Sequence, residues 1–203
     1  MGNEALRLRI SGNYPWQEQV QIVIDSSSPV HHTLALRLPD WCDKPQVTLN
    51  GAPVTQDVRK GYLYISHLWQ EGDTLLLTLP MPVRRIYGNP LVRHQAGQVA
   101  VQRGPLVYCL EQADNGEQLH NLQLPRDARF ITVEGKGIFA RKILLQAPGY
   151  KQTAEDAEQQ ALWRYDRAPS SRQPHLLTFI PWFSWANRCL LYTSDAADEE
   201  DSG

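Results

Sequence analysis

The sequence has 203 residues, of which 42% are hydrophobic and 21% charged, and its formal net charge is -2 at pH 7. This composition is that of an ordinary globular chain of one or two domains and excludes a chain that is disordered throughout. Acidic and basic residues are interspersed, which excludes a basic face for nucleic acid and a polybasic segment for a membrane surface.

Alternation of apolar and polar residues with period two dominates the first 80 residues and predicts strands with one buried face. The alternating or apolar runs lie at residues 6–10, 19–24, 33–38, 62–65 and 74–80. Residues 25–29 form a polar turn. The dipeptide Asn50-Gly51 separates two short apolar runs and favours the positive φ angles of a type I′ hairpin turn. Short strands at about ten-residue spacing are typical of a β-sandwich.

Residues 79–90 contain Pro80, Pro82 and Pro90 and predict a linker, because proline cannot donate a hydrogen bond within a sheet. We therefore place a first β-sandwich at residues 1–83 and a second at residues 84–188. The predicted fold class is all-β, with two consecutive antiparallel, jelly-roll-like β-sandwich modules.

The second module repeats the strand pattern. Its predicted strands lie at residues 98–102 and 106–110, which flank a bend at 103–105, then around Phe130 and Thr132, and at residues 143–148 and 175–183. Residues 114–118 predict a loop. Residues 151–162 predict a polar loop with at most one helical turn, since their apolar content is thin.

Both ends of the chain are unusual. The sequence opens almost directly in a strand, so we expect the true N-terminus to lie upstream. Residues 189–203, CLLYTSDAADEEDSG, resemble the translated adapter read-through found in metagenomic gene fragments. Since their last ten residues include five acids and no large apolar side chain, we expect a non-native, disordered tail.

Three cysteines, Cys42, Cys109 and Cys189, are odd in number, widely spaced and without a CxxC pair. They indicate neither a disulfide framework nor a zinc ribbon. We expect Cys42 and Cys109 to behave as small buried or half-buried apolar residues.

Two pairs of polar residues are candidates for a site. Glu111 and Asp114 lie three residues apart at a strand end, whereas a glycosidase pair flanks a sugar bond across a cleft, so a turn-capping or solvated role is preferred. His31 and His32 are adjacent on a strand and point to opposite faces, so they cannot easily share one metal ion.

Two residue types could bind ligands at the surface. Five of the six tryptophans could stack on sugar rings, although packing in a core or between modules is preferred; the five are Trp16, Trp41, Trp69, Trp182 and Trp185. Arginines near the linker could bind an anion, although salt bridges and packing of their stems are preferred; they are Arg84, Arg85, Arg93 and Arg103. We therefore assign no catalytic, cofactor-binding or metal-binding residue.

Nine short motifs follow one another in a specific order. They are YPW at 14–16, LRLPDWC at 36–42, NG at 50–51, GY at 61–62, WQEGD at 69–73, LPMPVR at 79–84, NP at 89–90, RGPLVYC at 103–109 and PWFSWANR at 181–188. With these motifs, residues 5–188 resemble the C-terminal region of glycoside hydrolase family 127, the β-L-arabinofuranosidase family. Ser11-Gly12 departs from the threonine-like position expected before NYPW, and the ending after ANR is replaced by the suspected artefact.

The resemblance implies a parent enzyme in which a catalytic α/α barrel is followed by two β-sandwich modules, and this chain matches only the sandwiches. Such enzymes resemble retaining glycosidases whose cysteine nucleophile is held in a zinc site of clustered cysteines and a glutamate, because zinc holds a thiol as thiolate. None of the three cysteines here matches that motif. Zinc is therefore implied for the absent barrel, and the fragment alone is expected to be inactive.

Three functions remain open. The preferred one is a structural accessory region that braces the barrel of the same parent chain. The alternative is an autonomous carbohydrate-binding module for plant-type arabinose-containing glycans, and the third is a catalytic activity of its own. Buried rings at Trp41, Trp69, Trp182 and Trp185 would favour the first, and a coplanar exposed strip the second. We expect a soluble protein without nucleic-acid or membrane partners; the compartment stays open, with the cytoplasm slightly favoured.

Overall fold

The computed structural model describes residues 5–55, 57–153 and 171–188. Within these residues the chain is all-β, as predicted, with one short α-helix and several 3-10 turns. The chain divides into two compact units, one of Met1–Arg85 with Gln102–Leu106 and one of Ile86–Val101 with Val107–Gly203. The division predicted from sequence, 1–83 and 84–188, stays a prediction of domain limits.

The first eight strands form two sheets in the first unit. Their bounds are β1 Leu8–Gly12, β2 Gln19–Ile24, β3 Val30–Arg37, β4 Gln46–Leu49, β5 Ala52–Pro53, β6 Val58–Arg59, β7 Tyr62–Trp69 and β8 Thr74–Thr78. One sheet has the order β1-β2-β8-β4-β5 and the other β3-β7-β6, and the strand pairs are antiparallel.

Alternation along these strands builds the core of the first unit. Ile22 and Ile24 of β2 are buried, and so are Leu63, Ile65 and Trp69 of β7. Side chains from both sheets belong to one hydrophobic cluster, which means that the sheets pack face to face. Full burial of one such aliphatic side chain contributes about 1.5–3 kcal/mol to folding. The first unit is therefore a β-sandwich, as predicted.

The hairpin at Asn50-Gly51 has the predicted turn. Asn50 has φ 51° and Gly51 has φ 82°, and Leu49 pairs with Ala52 across the hairpin. Two successive positive φ angles are those of a type I′ turn, whose twist matches the twist of the flanking strands. The dipeptide thus predicted both the position and the type of this turn.

The remaining strands form one seven-stranded sheet. Their bounds are β9 Val83–Tyr87, β10 Val99–Arg103, β11 Leu106–Leu110, β12 Leu122–Gln123, β13 Ile131–Glu134, β14 Ile143–Thr153 and β15 Ser171–Pro181. Six of the strands have the order β12-β14-β15-β11-β10-β9, and the seventh, β13, pairs with β14. β12 pairs with residues 150–151 of β14 and β13 with residues 143–146, so both short strands share one edge of β14. Leu145, Leu177 and Ile180 are completely buried.

Three local predictions need correction. The proline-rich segment is not entirely a linker, because Val83–Tyr87, between Pro82 and Pro90, is a strand. Asp114 belongs to a one-turn helix, α1, at Gln112–Asn115 and not to a loop. Residues 151–153 continue β14 as a strand.

Two predictions lie outside the described residues. They are the polar loop over residues 154–162 and the tail at residues 189–203, which includes Cys189. In the part of the chain that the structure describes, no helix is long and apolar enough to cross a membrane.

Candidate functional site

Three charged side chains meet where β11 ends. The Nε of Arg188 donates to Glu111 Oε2 at 2.8 Å, and its Nη1 donates to Asp114 Oδ1 at 2.8 Å. Its Nη2 makes further short contacts with Glu111 Oε2 and Asp114 Oδ2. The hydrogen bonds to Asp114 and Glu111 outweigh the effect of burial and hold the pKa of Arg188 above its usual value. We name this cluster of three residues the arginine clamp.

Glu111 and Asp114 form ion pairs in a place that is largely shielded from water, which differs from the prediction. The side chains of Glu111, Asp114 and Arg188 are only 13–20% exposed. Glu111 is the N-cap residue of α1, but its side chain makes no capping hydrogen bond. Both carboxylates are therefore bound to one guanidinium, and the prediction of a turn-capping or solvated pair is wrong. A carboxylate pair that acted on a glycosidic bond would flank the sugar across a cleft, and this pair faces an arginine instead.

The clamp holds a 3-10 turn that carries aromatic side chains, Trp182–Ser184. The backbone N–H of Ala186 donates to Glu111 Oε1 at 3.0 Å. On the other side, Lys142 Nζ donates to the hydroxyl oxygen of the buried Ser184 at 3.2 Å. The turn is therefore fixed by hydrogen bonds on both sides.

The tryptophans that the structure describes divide into two groups. Trp69 is completely buried, and Trp16 and Trp41 are half-buried. Trp182 and Trp185 are 61% and 57% exposed. The centroids of these two exposed rings are 6.4 Å apart and their planes differ by 51°. The rings are thus neither all buried nor a coplanar exposed strip, the two arrangements that the sequence left open.

His31 and His32 point to different faces of their strand. His31 lies opposite Leu68 and His32 opposite His67, so the adjacent pair points to different faces, as predicted. His67 Nε2 lies 3.6 Å from Asp73 Oδ2. Among the described residues there is no group of three or more His, Cys, Asp or Glu side chains that could hold a metal ion.

The two described cysteines are not activated. Cys42 is 7% exposed and Cys109 is half-buried, which confirms their prediction as small apolar residues. Burial raises the pKa of both thiols, and the neighbouring Glu111 raises that of Cys109 further. A zinc-thiolate site also needs clustered ligands, and among the described residues no group of three or more His, Cys, Asp or Glu side chains could hold a metal ion. The described residues therefore do not fit a zinc-thiolate site.

Two of the arginines near the predicted linker have partners within the first unit. Arg84 Nη2 donates to Asp43 Oδ2 at 2.5 Å. Arg103 is buried and its Nη1 donates to the carbonyl oxygen of Trp16 at 3.1 Å. Arg93 lies exposed in a 3-10 turn. Salt bridging and packing are therefore confirmed for Arg84 and Arg103.

A groove of about 830 Å³ lies in the second unit. Its apolar lining includes Val101, Leu110 and Leu177, and its basic lining includes Arg126 and Arg172. None of the described residues that line it is an aspartate or a glutamate. The described lining therefore offers no carboxylate for an acid or base role.

Comparison with protein-family models decides the family. The model described as "Beta-L-arabinofuranosidase, GH127 middle domain" matches residues 1–81, and that described as "Glycoside hydrolase family 127 C-terminal domain" matches residues 83–191. The chain belongs to glycoside hydrolase family 127. The motifs from YPW to PWFSWANR thus predicted this family correctly.

Known relatives of this family 127 chain are longer than it. A non-reducing end β-L-arabinofuranosidase of Bifidobacterium longum subsp. longum is 34% identical over 188 residues, which are 87% of this chain and 28% of the relative. The crystal structure of a family 127 β-L-arabinofuranosidase from Geobacillus stearothermophilus T6 matches with a TM-score of 0.81 and 36% identity, over 90% of this chain and 29% of that one.

A third match leads to the same conclusion. A structure described as a glycoside hydrolase has a TM-score of 0.77 and 30% identity, over 90% of this chain and 30% of that chain. This family 127 chain therefore spans less than a third of each of these relatives.

Sequence reasoning missed the arginine clamp and the lysine that supports it. Arg188 was part of a family motif, but no local pattern linked it to Glu111. Lys142 carried no signal at all, because its partner Ser184 is 42 positions away.

Proposed function

We propose that this chain is the non-catalytic part of a family 127 β-L-arabinofuranosidase and that it supports a catalytic α/α barrel that precedes it in the parent protein. One observation carries the proposal: the chain matches the middle and the C-terminal domain of the family, in that order, over nearly its whole length. In the matched relatives more than two thirds of the length lies outside the aligned region.

The chemistry of the described residues supports the same role. Glu111 and Asp114 are bound to Arg188, and burial raises the pKa of Cys42 and Cys109. In the proposed parent, zinc would hold a cysteine as thiolate, and its ligands would lie in the barrel. The role of this chain would then be to stabilise the barrel by packing against it.

A domain exchange tests this proposal. In the Geobacillus enzyme, the region equivalent to residues 5–188 is replaced by those residues of this chain. The exchanged enzyme is expected to hydrolyse a β-L-arabinofuranoside, because the supporting region would still pack on its barrel. The control is an enzyme that ends before the exchanged region. Equal activity of the exchanged and the truncated enzymes would contradict a supporting role.

The alternative is a carbohydrate-binding module for plant-type arabinose-containing glycans, and the exposure of Trp182 and Trp185 favours it. Exposed indole rings can stack on the C–H face of a sugar. The angle of 51° between their planes argues against a flat platform. Titration of the 203-residue chain with arabino-oligosaccharides tests this alternative, and binding that Trp185→Ala abolishes would establish it.

A further inference from the structure

The second unit presents an exposed aromatic face, which we define as Ile138, Trp182, Phe183 and Trp185. All four side chains are more than half exposed. Trp182 contacts Trp185. Lys142 links Phe183 to Ile138, because its Nζ lies 5.5 Å from the ring centroid of Phe183 and donates to the carbonyl oxygen of Ile138 at 3.2 Å. Soluble monomers seldom expose contiguous apolar patches unless the patch is an interaction site.

Hydrogen bonds hold the backbone beside the aromatic face in place without a partner. The arginine clamp fixes the segment that follows the aromatic face, because Glu111 accepts hydrogen bonds from the N–H of Ala186 and from Arg188. Beneath the clamp, the guanidinium carbon of Arg188 lies 4.8 Å from the ring centroid of the buried Phe139. A preorganised surface loses little conformational entropy on binding, and tryptophans are enriched among the residues that dominate interface energies.

The lengths of the relatives indicate what covers this face. This chain covers 29% of the Geobacillus enzyme at a TM-score of 0.81, and its two parts match regions named middle and C-terminal domain. Most of a parent of that kind therefore precedes this chain. The 51° between the indole planes suits a shaped protein surface better than the flat face of a sugar chain.

We infer that the aromatic face, Ile138, Trp182, Phe183 and Trp185, is the surface on which the preceding catalytic domain of the parent protein docks; this inference rests on the proposed function. The partner surface is apolar at its centre, to receive the rings. It carries hydrogen-bond acceptors at its edge, because a buried indole N–H needs one.

Hydroxyl-radical labelling followed by mass spectrometry tests the inference. Labelling of Trp182 and Trp185 is compared between the isolated 203-residue chain and the exchanged Geobacillus enzyme described above. We expect both indoles to be labelled at least about fivefold more slowly in the exchanged enzyme, because an interface core excludes water. Ile131 is the internal control, since it is 57% exposed, like Trp185, and lies on the edge strand β13.

The outcomes separate this inference from the proposed function. An active exchanged enzyme whose indoles are labelled as fast as in the isolated chain overturns the docking face alone. An inactive exchanged enzyme with equally fast labelling overturns both. Protection of the indoles in the isolated chain by arabino-oligosaccharide overturns the inference in favour of a sugar site. Protection that increases with the concentration of the isolated chain overturns it in favour of a second copy.

A substitution provides a second measurement. Trp185→Ser is expected to lower the melting temperature of the exchanged enzyme and to leave that of the isolated chain unchanged, because only in the former is the ring buried against the catalytic domain. Ile131→Thr, which keeps a β-branched side chain on an exposed strand, is expected to change neither. Equal effects of Trp185→Ser on both proteins would contradict docking.

Discussion

Arg188 Nε lies 2.8 Å from Glu111 Oε2, although the two residues are 77 positions apart in the sequence. This contact joins the end of β11 to the segment that follows β15. Because both side chains are largely shielded from water, loss of one partner leaves a charge without its counterion.

The first prediction concerns this contact. Glu111→Gln is expected to destabilise the chain by about 2 kcal/mol, because Arg188 loses a charged partner in a shielded place. The free energy of unfolding from urea titration measures the effect.

The matched control for this substitution is Asp57→Asn. Asp57 also accepts a hydrogen bond from an arginine, the neighbouring Arg59, but both side chains are more than half exposed. Exposed ion pairs contribute little, so no measurable change is expected. Equal losses in the two variants would contradict a special role for the clamp.

The second prediction concerns Trp69 in the core of the first unit. Its Nε1 donates to the carbonyl oxygen of His32 at 3.0 Å, and its ring is completely buried. Trp69→Phe removes this donor and leaves a cavity, which is expected to cost about 2 kcal/mol of unfolding free energy. Trp185→Phe in the isolated chain is the comparison, and it is expected to leave the denaturation midpoint unchanged because Trp185 is exposed. An unfolding free energy of Trp69→Phe equal to that of the unchanged chain would contradict the burial of Trp69 in the core of the sandwich.

The third prediction concerns Asp73. Its Oδ1 accepts from Asn50 Nδ2 at 2.8 Å and its Oδ2 accepts from the N–H of Gln70 at 2.9 Å. Burial opposes ionisation, but these hydrogen bonds and the nearby His67 hold the pKa of Asp73 below its usual value. A lowered carboxyl pKa stabilises the folded state above the unfolded pKa of roughly 3.9, and this stabilisation is lost as the pH falls through the folded pKa.

Asp73→Asn is therefore expected to be less stable than the parent sequence by about 1 kcal/mol near neutral pH, with the difference shrinking below about pH 4. Urea midpoints measured from pH 7 to pH 3 test this. Ser66→Ala, an exposed change without charge, should give a difference that does not vary with pH. A constant difference for Asp73→Asn as well would contradict the electrostatic explanation.

The fourth prediction concerns thiol reactivity. Burial raises the pKa of Cys42 and Cys109, so little thiolate forms at neutral pH. Both thiols are expected to react with iodoacetamide much more slowly in the folded chain than in urea. Peptide mass spectrometry gives the rate for each cysteine. Fast alkylation of folded Cys42 at pH 7 would contradict its burial.

Local sequence chemistry predicted most of the first unit. The strand Gln19–Ile24 follows from its alternation, and the turn at Asn50-Gly51 follows from the positive φ angles that this dipeptide tolerates. The strand Val83–Tyr87 was missed because Pro82 and Pro90 suggested a linker, yet both prolines lie outside the strand and remove no hydrogen bond from it.

The clamp and the aromatic face could not be predicted in this way. In the sequence, Glu111 and Asp114 have the pattern of turn residues. Their partner Arg188 lies more than 70 positions away, so no local pattern indicates the contact. Trp69 and Trp185 both lie near the ends of strands, yet only the first is buried. Their exposure depends on how the sheets pack, which no local pattern encodes.

The proposed non-catalytic, supporting role of this chain is tested most directly by turnover by the purified 203-residue chain. The chain is incubated with p-nitrophenyl β-L-arabinofuranoside and a reductant, with added zinc or with a chelator, and the exchanged Geobacillus enzyme is assayed in parallel. The account predicts no release of nitrophenol above buffer in either condition. Saturable release by the chain that requires zinc would contradict it.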